Sequence, residues 1–290
     1  MFMTDHRPTI MLVHAHPDDE VISTGGIALK YHEQGARVVL VTCTRGEEGE
    51  IVDAELNTPE NKARLAEIRD VELARAIALL NITDFHQLAY RDSGMINTPA
   101  NEHPESFNKA DLQAATGRLV ALVRQYQPDV LISYDENGSY GHPDHIMAHK
   151  ITVAAFHAAG DPSQFPEAGP AWEPKKLYYT AYRRSIWRKA WEYMQARGEK
   201  TPLDDPEADL SRYVDDPRTT TAIEIGQYLP IKLQSLLEHR TQIGPTWGFL
   251  SLPEELRGEL LSHEHFALIE SRVSLPEREE FETDLLLGIR

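Results

Sequence analysis

The amino-acid sequence predicts an α/β protein: a mostly parallel sheet flanked by helices, completed by a C-terminal α+β extension. Three observations predict it. Short aliphatic runs alternate with segments of helical period over residues 1–160. The runs are apolar throughout, as strands covered on both faces must be. After Gly160 the pattern changes: residues 161–174 hold four prolines, and strand and helix signals no longer alternate. Alternation of this kind is solved by right-handed crossovers into a parallel sheet, so a Rossmann-like core over 1–160 and a further lobe over 161–290 are expected, with one continuous domain as the alternative.

Thr9–Val13 reads as a buried strand. Gly25–Gln34 reads as a helix that stops at Gly35, a residue suited to the left-handed turn after a helix. Arg37–Cys43 is a Val-rich second strand. Thr58-Pro59-Glu60 opens a helix to Leu80, with Leu65, Ile68, Leu73, Ile77 and Leu80 near helical spacing. Phe85–Leu88 is a weak third strand, Asp111–Gln127 a helix, Val130–Tyr134 a fourth strand and His145–Ala159 a helix. Beyond the proline-rich loop, Leu177–Tyr182 reads as a strand, Ser185–Ala196 as an amphipathic helix, Thr201–Arg218 as an exposed acidic insertion, Ile231–Thr241 as a helix and His263–Ser271 as a strand.

Composition excludes several classes. With 290 residues, 41% hydrophobic and 26% charged, the chain is long and apolar enough for a packed core. The formal charge of −17 repels phosphate backbones and anionic head groups. No basic block offsets it, so neither nucleic acid nor membrane is an expected partner. Cys43 is the single cysteine. It excludes an intrachain disulfide and suits a cytoplasmic location. A homo-oligomer remains compatible with the sequence.

Chemistry concentrates in two loops. His16-Pro17-Asp18-Asp19-Glu20 follows the first strand, and Gly141-His142-Pro143-Asp144-His145 follows the fourth. With 13 His, 18 Pro and 18 Asp in the chain, His-Pro-Asp should occur about 0.05 times by chance, yet it occurs twice. In a 3-2-1-4-5 sheet, strands one and four are neighbours at the point where the order reverses, and ligands bind there beyond the carboxyl ends. The glycine fingerprint of a dinucleotide site is missing, and acids stand where a pyrophosphate would lie, which disfavours a nucleotide-binding oxidoreductase.

Imidazoles and carboxylates suit zinc, with iron(II) or manganese as alternatives. A close pair plus one remote ligand fits a catalytic ion: His16 and Asp19 from the first loop, His145 from the second. Asp18 is then free to act as general base, His142 to meet the substrate or its oxyanion, and Asp144 to orient a ligand histidine. Taken singly, Asp18 or Asp19 reads as a helix cap, and His142 or His145 as an ordinary histidine. His14 fits the strand register and reads as structural. His263 and His265 share a strand face, but no further ligand accompanies them.

The two loops together resemble the PIG-L/LmbE-like zinc N-deacetylases. Val41–Glu50, Arg91–Met95, Tyr134–Tyr140 and the ending Glu282–Leu286 look like the mycothiol branch of that family. The resemblance spans about residues 9–288, leaving 161–220 unaligned. It implies a Rossmann-like fold and zinc-dependent removal of acetyl from an N-acetylglucosamine conjugate, N-acetylglucosaminyl-inositol above all. The rival within the branch is cleavage of a mycothiol S-conjugate amide; outside the branch, another N-acetylglucosamine conjugate. A non-catalytic metal- or sugar-binding protein is the rival of another class. The resemblance further implies His16, Asp19 and His145 as zinc ligands, Asp18 as general base, Tyr140 and His142 at the oxyanion or leaving amine, and Arg69 and Asp92 on sugar hydroxyls. Without it, Arg69 and Asp92 would read as a salt bridge or loop cap, and Tyr140 as a loop aromatic.

Overall fold

The computed structural model describes residues 7–210, 213–244, 247–276 and 281–289. The first half runs β1 (Thr9–His14), α1 (Asp19–Glu33), β2 (Arg37–Thr44), α2 (Pro59–Ala63), α3 (Leu65–Leu79), β3 (Asp84–Tyr90), α4 (Leu112–Tyr126), β4 (Val130–Ser133), α5 (Gly138–Gly141) and α6 (Pro143–Ala158). The second runs β5 (Lys176–Ala181), α7 (Ser185–Ala196), β6 (Thr221–Glu224), α8 (Leu229–Leu237), α9 (Glu254–Leu260) and β7 (His263–Ser271). The sheet has seven strands in the order β3-β2-β1-β4-β5-β7-β6. The first five are parallel, in the expected 3-2-1-4-5 order, and β7 runs antiparallel to both its neighbours. The residues beyond 160 therefore supply three strands of the same sheet.

Both faces of the sheet are covered, which explains the unbroken apolar runs. Ile10, Leu12, Val38 and Leu40 pack with α1, α3 and α8. Met11, Val13, Val39 and Val41 pack with α4 and α6 on the other face. A small separate cluster joins Ala190 of α7 to Leu256 and Leu260 of α9. Among the described residues no helix is long and apolar enough to cross a membrane.

Several boundaries differ from expectation, each for a local reason. α1 starts at Asp19 rather than Gly25, because Asp19 and Glu20 fill its first turn, where acids favour the helix dipole. Gly26 lies inside that helix because a Cβ there would stand 2.7 Å from Ile225. The long helix from Thr58 is divided at Arg64, whose φ of −119° and ψ of 18° leave the helical range. Thr58 still caps its start, accepting from Asn61 N–H at 3.2 Å. β6 and α9 lack a periodic signal and lie in segments with no expected element. The Thr201–Arg218 insertion is largely exposed; its Ser211 and Arg212 lie outside the described residues.

Candidate active site

The site begins where β1 ends. Asp18 joins strand to helix with φ 105°, a conformation that costs a non-glycine residue about 1–3 kcal/mol and persists only when its surroundings impose it. It occupies the cap position of α1, yet its carboxylate makes no capping bond. Asp19 is likewise spent elsewhere: its Oδ2 accepts from the His16 N–H at 2.9 Å and from the Tyr134 hydroxyl at 2.8 Å. Helix capping therefore does not account for the pair.

The second loop leaves β4 through α5. Gly138 has φ 59°, and a Cβ there would lie 2.6 Å from that of His145, so only glycine lets the loop fold down on His145. His142 caps α6, its Nδ1 accepting from Asp144 N–H at 3.2 Å. Pro143 follows at the first helical position, where its missing N–H is harmless.

The two loops meet at three donor atoms. His16 Nδ1 lies 3.4 Å from Asp19 Oδ2, His145 Nε2 lies 3.4 Å from the same oxygen, and the two nitrogens are 3.3 Å apart. Donors about 2.0–2.1 Å from a tetrahedral ion sit about 3.3–3.4 Å from one another, so these atoms form one face of such a tetrahedron. Two facing imidazole nitrogens also require a proton or a cation between them. Other sets come together as well: His16 with His142 and His145, and His16 with Asp92 and Asp144, each within 4.8 Å. Asp144 is already engaged. It accepts from His16 Nε2 at 3.2 Å, from Ser93 N–H at 2.9 Å and from the Ser93 hydroxyl. A carboxylate behind a histidine in this way fixes which nitrogen faces the ion. The donor set therefore fits zinc.

Electrostatics agree with a cation site. Burial disfavours a charged His16, but Asp92, Asp144 and Asp19 around it raise its proton affinity well above the usual value. Burial pushes the pKa of His145 down to about 4, leaving a neutral imidazole with a lone pair. Burial also opposes charge on Asp19, yet His145 and His16 hold its carboxyl well below the usual range. Asp92 is held low in the same way, against its own burial, first by His16. Asp18 goes the other way: burial raises its pKa to about 6, although the Arg69 guanidinium pulls against it. Burial, then His16 and His145, lowers the pKa of His142 to about 3. Since its Nδ1 accepts a backbone N–H, its proton sits on Nε2.

A cavity of about 1400 Å³ opens over these groups, lined by His16, Asp18, Asp19 and His145, and further by His142, Tyr140, Arg69 and Asp92. All expected site residues except Asp144 face it; Asp144 is fully buried behind His16. Tyr140 stands at the mouth with 62% of its surface exposed, its ring 5.0 Å from that of His145. Arg69 is buried and does more than line the wall: it donates to the carbonyls of Gly46 and Pro17 and, at 3.2 Å, to Asp18 Oδ2. Asp92 accepts from Gly94 N–H at 2.8 Å and from Glu48 N–H at 3.2 Å. His14 is buried against the Thr24 and Tyr134 hydroxyls. His263 and His265 border the cavity, but Glu264 turns inward to Lys232 and the Gly26 and Ile27 N–H groups.

Two contributors had no role in the sequence reading. Tyr134 follows β4, donates to Asp19, accepts from Ala15 N–H at 2.8 Å and stacks on His145 at 4.1 Å. Ser93 anchors Asp144. Both stand in stretches quoted for the family resemblance, the only signal that pointed to them. If His16 holds a zinc ion, Ser93→Ala is expected to weaken its binding by less than the about 10–100-fold that loss of a ligand's own hydrogen-bond partner costs, because Ser93 acts on His16 only through Asp144. Chelator competition measures it; an unchanged affinity would make Ser93 merely structural.

The class that this fold and site define is matched by comparison. Residues 11–156 match the PIG-L family model, described as GlcNAc-PI de-N-acetylase, and the chain belongs to that family. Among its relatives is the 1D-myo-inositol 2-acetamido-2-deoxy-alpha-D-glucopyranoside deacetylase 1 of Catenulispora acidiphila, 41% identical, with 97% of this chain and 89% of the relative aligned. The deacetylase of the same name from Geodermatophilus obscurus is 40% identical over 99% of each chain. Among solved structures, the N,N'-diacetylchitobiose deacetylase of Pyrococcus horikoshii aligns with a TM-score of 0.60 at 18% identity, covering 90% of this chain and 83% of that one. The 4-carboxy-2-hydroxymuconate hydratase of Pseudomonas putida aligns at 0.59 and 18%, covering 93% of this chain and 100% of that one. A hydratase and a deacetylase thus share the fold, so fold alone does not name the reaction.

Proposed function

We infer that this protein is a metal-dependent N-deacetylase that hydrolyses the acetamide of N-acetylglucosaminyl-inositol, giving acetate and the free amine. The observation that carries the reading is the triangle of His16, Asp19 and His145 donors with the Asp18 carboxylate beside it, in a chain about 40% identical to deacetylases of that substrate over nearly its whole length. A divalent cation held by these three, zinc on this donor set with iron(II) as the alternative, supplies carbonyl polarisation and a lowered pKa for water.

The chain's own groups do the rest. Asp18 takes a proton from the attacking water and passes it to the departing nitrogen. Its carboxylate is aimed by Arg69, 3.2 Å away. His142, a neutral Nε2–H donor, meets the oxyanion that develops on the acetamide oxygen. Tyr140 stands at the mouth where a second donor is needed. Arg69 and Asp92 line the cavity wall, and both have directional hydrogen-bonding groups suited to sugar hydroxyls. The buried, unpaired Cys43 suits a cytoplasmic enzyme.

Zinc-loaded protein should release amine from N-acetylglucosaminyl-inositol and do so at least tenfold faster than it cleaves a mycothiol S-conjugate. The reverse preference would make it the amidase. Stoichiometric zinc with no amine from any acetylated amino sugar would make it a binder.

A further inference from the structure

Asp18 is held in an unfavourable backbone conformation, and the contacts that hold it reach across the whole chain. Its carbonyl accepts from the Val21 and Ile22 N–H groups at 3.1 Å, which only begins α1. Its own N–H points the other way and donates to Glu20 Oε2 at 2.8 Å. The other oxygen of that carboxylate, Oε1, lies 2.9 Å from His239 Nε2. Glu20 and His239 both have fully buried side chains. His239 follows α8 and lies far outside the residues matched by the family model. Its loop is fixed independently: Thr241 donates from its N–H to Glu72 Oε1 at 2.8 Å and from its hydroxyl to Glu72 Oε2 at 2.6 Å. Glu72 stands on α3, the helix that also carries Arg69.

We propose that His239 is a positioning residue: by fixing the Glu20 carboxylate it imposes the positive-φ backbone that turns the Asp18 side chain into the cavity. A buried carboxylate needs a partner for its charge. His239 supplies it and leaves one oxygen aimed at the Asp18 N–H. Without that anchor the Asp18 N–H loses the contact that favours positive φ, and relaxation to an ordinary φ would rotate its carboxylate away from Arg69 and the water it serves. The C-terminal region thereby contributes to catalysis without touching the substrate. This inference rests on the reading of Asp18 as the base.

The test compares His239→Gln with His239→Asn in zinc-loaded protein. A glutamine amide reaches the place of the imidazole Nε2, whereas an asparagine amide falls short of it. His239→Asn should lower kcat about tenfold or more, since small misplacements of a reacting group cost that much, with KM and bound zinc unchanged. His239→Gln should recover turnover to within about fivefold of wild type. If His239→Asn does not fold, the double variant Glu20→Leu/His239→Leu removes the pair without stranding a charge and should show the same loss of kcat. Turnover of the folded Asn or double-Leu variant within about twofold of wild type would overturn the proposal. Wild-type protein that releases no amine would instead overturn the functional reading.

Discussion

If Asp18 is the base proposed above, zinc-loaded Asp18→Asn is expected to keep its metal and its fold and to lose about 100-fold or more in kcat, the usual contribution of a general base. The substitution isolates proton transfer unusually well. Asn is among the few residues that tolerate positive φ, so the strained link between β1 and α1 survives. Its amide oxygen still accepts from Arg69. What disappears is a group that can take a proton from water and give it to an amine. Metal analysis should show wild-type stoichiometry, because the proposed ligands His16, Asp19 and His145 are untouched. KM should change little, since the proposed mechanism has Asp18 meet the attacking water rather than the sugar. Near-normal turnover would remove Asp18 from the mechanism. A loss of zinc together with turnover would show instead that Asp18 supports the ligands.

Much of this site was legible because its groups come from two short segments. Each follows a parallel strand, and strand order alone brings the loops after β1 and β4 together. The residues expected from both loops then line one cavity, Asp144 alone lying behind His16. What could not be read is anything that depends on residues distant in sequence. His239 supports Glu20 from 219 positions away, and its surroundings carry no motif. Ser93 acts through Asp144 by hydrogen bonds that no periodicity reports. Elements were lost for a similar reason. β6 is only four residues long and is defined by pairing with β7, so its local pattern is too short to register. The start of α1 is marked by the acids Asp19 and Glu20 and carries no apolar spacing of its own. Arg69 shows the limit of the resemblance itself: it pointed to a sugar contact, whereas the guanidinium also ties the Pro17 and Gly46 carbonyls together beneath Asp18.

Glu282→Ala is expected to destabilise the protein by about 3–5 kcal/mol, the cost of stranding a buried charge. The ending that contains Glu282 was singled out by resemblance, and the structure gives it a task in the fold. Glu282 is fully buried. Its carboxylate accepts from Lys176 Nζ at 2.8 Å, from the Tyr178 hydroxyl at 2.7 Å and from the Thr221 hydroxyl at 3.0 Å. Its backbone bonds to Thr220 and Ala222. One side chain thus joins β5, β6 and the C-terminal segment, and Lys176 also donates to the Leu285 carbonyl at 3.1 Å. Removing the carboxylate takes from the buried Lys176 ammonium the anionic partner 2.8 Å away, while the Tyr178 hydroxyl and the Leu285 carbonyl stay beside it. The pair itself adds far less, because desolvating two ions offsets most of their attraction. Lys176→Met/Glu282→Leu should therefore be more stable than Glu282→Ala, although it removes more polar contacts. Urea unfolding of both variants and of Lys176→Met, at fixed zinc, measures the difference. Turnover per folded molecule should stay near wild type in all three, since none of these groups lines the cavity. A Glu282→Ala loss below about 1 kcal/mol would mean that the ammonium finds water or another acceptor, and that the C-terminal segment is held by Leu285 and Leu286 packing in the core rather than by its charge.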